Sequence, residues 1–160
     1  MIFSNLSLFQ RLKDIREDMD FTQEEIAELL HVSQTSYSRW ETGRELIPLR
    51  KLNDFCNLTN HSMDYVTGLI MTEKEIYYEK SSLDLKSIGK NIKDIRLKHN
   101  LHQYQLAKLL NTTQSTISAY ENGETLILTA FIYQIAKQYH LSLDEICNRK
   151  ELEVTVSSNS

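Results

Sequence analysis

Two short runs of polar side chains are the part of this 160-residue sequence best suited to directed chemical contacts. One is Gln34-Thr35-Ser36-Tyr37-Ser38-Arg39, and the other is Gln114-Ser115-Thr116-Ile117-Ser118. On a helix the first run turns Gln34, Thr35, Ser36, Ser38 and Arg39 outward, while Tyr37 and Trp40, three apart, face inward. The second turns Gln114, Ser115, Thr116 and Ser118 outward over an inward Ile117 and Tyr120. Amide, hydroxyl and guanidinium groups in that pattern suit hydrogen bonding to base edges in the major groove of DNA. Gln matches adenine and Arg matches guanine in two-point contacts, with about 1–3 kcal/mol of discrimination for each good pair. Bond-making chemistry has no such support. There is no Gly-rich phosphate loop, nucleophile elbow or pair of catalytic carboxylates, so no catalytic residue and no cofactor are expected. The five histidines lack HxxxH or HExxH spacing, so no metal site is expected. Cys56 and Cys147 have no CxxC neighbour and read as small buried fillers in a reducing compartment.

The elements that must carry these runs are written twice. Lys13-Asp14-Ile15-Arg16 returns as Lys93-Asp94-Ile95-Arg96, eighty positions on. With that shift fixed and no gaps, Gln23 meets Gln103, Ala27 meets Ala107, Gln34 meets Gln114, Glu41 meets Glu121, Gly43 meets Gly123 and Asp64 meets Asp144. So long a period implies two compact domains rather than a solenoid. Helical spacing relates Leu8, Leu12, Ile15 and Met19, and Leu85, Ile88, Ile92 and Ile95. Thr22 with Glu25 reads as a capping box, and Ser62 and Ser82 as further caps. Gly43 suits a left-handed helix end, and Pro48 opens the next helix. The same plan follows in copy two, giving five short helices per copy. Predicted boundaries are a first domain at 1–70, a charged linker at 71–84, a second domain at 85–150 and a tail at 151–160. Residues 151–156 of the tail alternate polar and apolar as a short strand would, but a frayed terminus is the expectation.

Composition agrees with a helical, soluble chain. There are four glycines and a single proline, and no apolar run approaches the roughly 18 residues that would span a bilayer. The start of the chain lacks the basic flank of a signal peptide, so a cytoplasmic location and no membrane partner are expected. A net charge of −4 argues at first against a polyanionic partner. The sum conceals an imbalance: residues 1–70 carry seven Lys/Arg against eleven Asp/Glu, and residues 88–150 carry eight against five. What matters for binding DNA is the docking face, where copy one has Arg39 and Arg44 and copy two has Ala119 and Glu124. Phosphate neutralisation supplies much of the affinity, which favours copy one as the stronger reader.

The segments TQEEIAELLHVSQTSYSRWETG (22–43) and HQYQLAKLLNTTQSTISAYENG (102–123) resemble the Cro/CI-repressor (XRE) helix-turn-helix family. The resemblance covers about 120 residues, and it implies an all-α fold of two tandem five-helix, lambda-repressor-like domains. It further implies a transcriptional regulator, of repressor or autorepressor type from a phage or mobile element, bound to double-stranded DNA. Gln23 and Gln103 would then meet backbone phosphate, as would Thr42 and Arg44 and, in copy two, Asn122. The Arg16–Glu41 and Arg96–Glu121 pairs would tie the first helix to the recognition helix as scaffold. The turn that is commonly glycine in the family holds His31 and Asn111 here, residues that tolerate positive φ. Leu126, Leu128, Phe131 and Tyr133 either form a homodimer or domain–domain contact or fill a broad core. An alternative on the same fold is an antitoxin or host-defence inhibitor that acts by contacting another protein.

Overall fold

Side-chain oxygens start most of the helices. The computed structural model describes residues 6–73 and 75–153. α1 (Leu6–Asp18) buries Leu8, Leu12 and Ile15 on one face and leaves Met19 beyond its end partly exposed. α2 (Gln23–Leu29) opens on Thr22, whose hydroxyl accepts from the Glu25 amide at 3.1 Å while the Glu25 carboxylate accepts from the Thr22 amide at 2.8 Å. Those reciprocal bonds satisfy amides that a helix start would otherwise leave orphaned. Ser33 caps α3 (Gln34–Glu41) and Ser62 caps α5 (Met63–Thr67) with one bond each, the hydroxyl accepting from the Ser36 or Tyr65 amide. Pro48, with φ −61°, starts α4 (Leu49–Thr59). His31 carries the turn between α2 and α3 at φ 57°, and Gly43 ends α3 at φ 76°.

The second copy repeats the plan with α6 (Leu85–Lys98), α7 (Gln103–Leu109), α8 (Gln114–Glu121), α9 (Thr129–Tyr139) and α10 (Leu143–Ile146). Asn111 makes the α7–α8 turn at φ 55°. One cap differs from expectation. Asp84 starts α6, its carboxylate accepting from the Lys86 amide at 2.9 Å, because Ser82 lies too far upstream to reach the first turn. The copies also pack their first helix differently. Gly89 stands where copy one has Phe9, and a Cβ there would lie 2.2 Å from the Tyr120 carbonyl oxygen, so α6 can lie directly on the end of α8. In copy one the Phe9 ring lies instead over Gly43.

Each copy wraps its helices around aliphatic and aromatic side chains, among them Leu12, Ile26, Tyr37 and Phe55 in one and Ile92, Leu106, Ile117 and Ile132 in the other. Cys56 and Cys147 are buried and free, and burial pushes both thiols up, Cys147 to about 12. The two copies then pack on each other, and α5 lies against α10. Asp144 accepts from the Met63 and Asp64 amides at 2.9 and 3.0 Å, at the start of α5. Asp64 reciprocates, accepting from the Leu143 amide at 2.7 Å and the Ser142 hydroxyl at 2.6 Å, at the start of α10. Arg149 neutralises the pair from one side, donating to Asp144 at 2.6 Å, to the His61 carbonyl at 3.2 Å and to the Asn57 side chain at 3.2 Å.

The linker is strapped down. Asn53 and Asn57 donate to the Ser81 carbonyl at 2.8 and 3.0 Å, Leu83 is buried, and the Tyr78 ring lies 4.4 Å from the Arg149 guanidinium. The start of the tail is paired rather than frayed: Glu151 bridges Tyr78, and the Leu152 amide donates to Tyr77 at 2.7 Å. The linker supplies the backbone groups that the alternating polar and apolar tail can bond. Residues 154–160 of the tail lie outside the described residues.

Burial, and then the nearby Asp144, raise the Asp64 carboxyl above the ordinary aspartate value, against the hydrogen bond from Ser142. The native chain therefore holds this proton more tightly than the unfolded chain, and stability falls as pH rises from the ordinary aspartate range through the raised value. Asp64→Asn should change the unfolding free energy by no more than about 1 kcal/mol and flatten that decline, since the amide still accepts from Leu143 without facing Asp144 as a like charge. Asp144→Asn should cost about 3–5 kcal/mol, because it leaves Arg149 buried without its counter-charge. Urea denaturation of both variants between pH 4 and pH 8 checks the pair; equal losses would be inconsistent with this account.

Candidate nucleic-acid interface

A helix that reads DNA must be held rigidly by one face and left free on the other, and a buried ion pair does the holding here. Arg16 on α1 donates from Nε to Glu41 Oε1 at 2.6 Å and from Nη2 to Oε2 at 3.2 Å, with a third bond to the Phe21 carbonyl at 2.7 Å. Gln23 adds its amide at 2.9 Å. Burial pushes the Glu41 carboxyl up, but the hydrogen bonds from Arg16 and Gln23 overcome it and hold the group below the ordinary glutamate value. Copy two repeats the arrangement: Arg96 donates to both oxygens of Glu121, Nη2 at 3.0 Å, and to the Leu101 carbonyl at 2.8 Å, while Gln103 reaches Glu121 at 2.9 Å. Tyr37 and Trp40 on α3, and Ile117 and Tyr120 on α8, are buried beneath.

The other face of α3 is open. Gln34, Thr35 and Arg39 are exposed and Ser38 is half-buried, and these four line one concavity with Gln23, Thr42 and Arg44. Ser36 is not part of that lining; its hydroxyl accepts from Ser33 at 3.0 Å within the helix cap. Thr42 spends its donor on the Ser38 carbonyl at 2.9 Å, which leaves its oxygen available only as an acceptor. Arg39 pairs with Glu45 at 2.9 Å, both side chains about half exposed, so the contact is weak and easily exchanged for another anion. Arg44 is exposed. Gln23, expected at phosphate, spends one of its two amide hydrogens on Glu41, which leaves the second and the helix-start amides for such a contact.

On α8, Gln114 and Ser115 are exposed, while Thr116 and Ser118 are half-buried. Its hydroxyls are largely tied to one another: Thr113 bonds Ser115 at 3.0 Å and Thr116 at 2.8 Å, and Asn122 donates to Ser118 at 3.3 Å. No cation replaces Arg39 or Arg44, since Ala119 and Glu124 stand there.

Sequence reasoning missed the preceding helix. α2 carries Glu24, Glu25 and Glu28, all exposed, whereas α7 carries Tyr104, Gln105 and Lys108 at the matching positions. The eighty-residue shift already paired them, so the signal was present. Copy one therefore brings Arg39 on its recognition helix and carboxylates beside it, whereas copy two has no exposed charge on α8 and a single lysine, Lys108, on α7. Lys51, on α4, donates to the Leu30 carbonyl at 2.7 Å and closes the end of α2. Of the apolar residues expected at a contact, Leu126 and exposed Leu128 line a groove together with Leu46, Ile47, Pro48 and Leu49 of copy one. Phe131 lies by Tyr120 within its own copy, and Tyr133 lies by Lys137.

Comparison with known proteins places two matches on these two copies. The helix-turn-helix family HTH_3 matches residues 12–66 and again 92–146. The chain is 30% identical over 93 residues to the HTH-type transcriptional regulator YobD of Bacillus subtilis, covering 58% of this chain and 74% of that one. It is 31% identical over 93 residues to the HTH-type transcriptional regulator ImmR of the same organism, covering 57% and 69%. It is also 32% identical over 65 residues to the antitoxin PezA of Streptococcus pneumoniae, which is 41% of this chain and 41% of PezA. The match thus spans about two-fifths of PezA. No described helix is long and apolar enough to cross a membrane.

Scaffold and surface residues should separate in stability measurements. Glu41→Ala should lower the unfolding free energy by about 3–5 kcal/mol at pH 7 by leaving the Arg16 guanidinium uncompensated. Arg39→Ala should change it by no more than about 0.5 kcal/mol. Because the native Glu41 carboxyl titrates below its unfolded value, the wild-type contribution is complete at neutral pH and is lost as pH falls through the native value. Chemical denaturation of the two variants at pH 7 provides the check.

Proposed function

This chain belongs to the HTH_3 helix-turn-helix family, and on that premise we propose that it is a sequence-specific DNA-binding transcriptional regulator. It acts as a repressor, on its own promoter among others, in the manner of phage and mobile-element switch proteins, and works in the cytoplasm. Residues 1–70 and 85–150 are its two reading units. The observation that carries this reading is the exposed polar face of α3, held outward by the buried Arg16–Glu41 pair, with Gln34, Thr35, Ser38 and Arg39 lining one concavity. Base contacts come from Gln34, Thr35, Ser36, Ser38 and Arg39 in one groove segment and from Gln114, Ser115, Thr116 and Ser118 in another. Gln23, Thr42, Arg44, Gln103 and Asn122 contact phosphate and set the docking angle, as backbone contacts generally do. The exchangeable Arg39–Glu45 pair supports copy one as the unit that recognises guanine, with exposed Arg44 beside it for phosphate.

A second reading has one observation in its favour. PezA is named as an antitoxin, and on this second reading the chain neutralises a protein partner through the same fold. Acidic α2 would suit a basic partner.

Footprinting on the DNA upstream of the chain's own coding region separates the two. The wild type should protect a discrete site, and Arg39→Ala should weaken binding by about 1–3 kcal/mol and relax preference at one base pair. Arg44→Ala should weaken all duplexes alike and reduce the slope of log affinity against log salt by about 1. Tight binding to the product of a neighbouring gene, indifferent to both substitutions and with no footprint, would favour the antitoxin reading.

A further inference from the structure

The contacts between the two copies follow a rule that the DNA reading alone does not require. Asp64 bonds Ser142 and Leu143, and Asp144 bonds Met63 and Asp64. Under the eighty-residue shift the Leu143 bond to Asp64 and the Met63 bond to Asp144 are each other's images, so residue i meets the equivalent of j while the equivalent of i meets j; the further bonds from Ser142 and from the Asp64 amide are particular to one side. That reciprocity is the signature of an isologous, two-fold contact, the kind that joins identical subunits in a C2 dimer. A second contact repeats the pattern. The groove between the copies is lined by residues 46–50 of one and by residues 126–130 of the other, again the same five positions. Thr129 seals it with a bond from its hydroxyl to the Ile47 carbonyl at 2.7 Å. Two separate stretches of each copy thus meet their own equivalents.

Resting on the DNA-binding reading above, we infer that this chain is its own dimer: one polypeptide presents two recognition helices about an internal two-fold axis. It therefore binds a duplex with two half-sites as a single chain. A two-fold rotation leaves height along its axis unchanged, so α3 and α8 stand at the same level. Both recognition helices run directly into the segments that meet at the groove, 42–48 and 122–128, which sets them on either side of the axis. DNA has a two-fold axis of its own between half-sites, and the two axes coincide when the protein docks. Half-site centres then lie about one helical turn, roughly 10 base pairs, apart or at a multiple of that spacing. The linker closes the pairing covalently, and its bonds from Asn53 and Asn57 to Ser81 hold it along α4. The second half-site is met as an intramolecular event, which raises avidity without a second chain.

The internal dimer also differs from one made of two identical chains. Its halves are unequal, so its site is an imperfect palindrome with a fixed direction. The half under α3 is read with Arg39 and should carry guanine, while the half under α8 is read without a cation and with Gln114 available for adenine. A homodimer of this chain would read two equal halves.

Selection of duplexes from a randomised library by the full chain tests this, followed by sedimentation of the protein with a selected duplex of about three helical turns. The expected result is a monomer alone at tens of micromolar and a one-to-one complex on a site with two unequal halves. Inserting five base pairs between the halves turns them to opposite faces and should weaken binding about 100-fold. Gln34→Ala with Arg39→Ala should erase preference in one half only, and Gln114→Ala with Ser115→Ala in the other only. Two chains per duplex, a single half-site, or indifference to the insertion overturns the internal dimer and leaves DNA binding standing. Failure to enrich any duplex overturns the DNA reading, and the internal dimer with it.

Discussion

A guanidinium and a carboxylate taken out of water together are costly unless each finds nearly all of its hydrogen bonds, and the rest of this molecule is arranged around two such pairs. Arg16 reaches both oxygens of Glu41 and a backbone carbonyl, and Gln23 supplies a further donor. Arg96, Glu121 and Gln103 do the same eighty residues later. Satisfied to this degree, the pair withstands its desolvation, and it joins the first helix to the third at one fixed distance. The recognition helix cannot roll without stranding a buried charge. Its orientation is therefore set before any ligand arrives, and its outward residues are held only by exposed, exchangeable contacts such as Arg39–Glu45.

The same device closes the two copies on each other, with a carboxylate placed at a helix start instead of against a guanidinium. Asp64 and Asp144 each supply the acceptor that the other copy's short helix lacks. Anionic groups are favourable at a helix N-terminus, but two of them near one axis repel, and Arg149 stands beside Asp144 to offset that. Perfect symmetry would put a second arginine beside Asp64; the equivalent position is Leu69. The seam thus keeps the geometry of a two-fold contact while the charge around it has become one-sided. Covalent linkage permits this, because each half of a tandem chain can change without its twin.

Much of the fold was legible in the sequence because its signals act over a few residues. Thr22 and Glu25 form the capping box, His31 and Asn111 take the left-handed turns, and Gly43 ends the recognition helix. The outward and inward sides of α3 followed from helical spacing. What escaped were contacts between residues far apart in the chain. Gln23 gives one amide hydrogen to Glu41, Lys51 closes the end of α2, and the linker and tail pair through Tyr78 and Glu151. None of these has a local pattern to announce it.

Repetition settles the remaining division. By itself the sequence determined that there are two copies, where most of the helices start, and which side chains each recognition helix turns away from the core, since caps and periodicity are properties of short stretches. It also aligned Asp64 with Asp144, but only as equivalents. That each caps the other's helix, and that residues 46–50 meet 126–130 across a two-fold axis, was decided by tertiary structure alone. Complementarity between two surfaces depends on every side chain of both at once, and no window of sequence contains it.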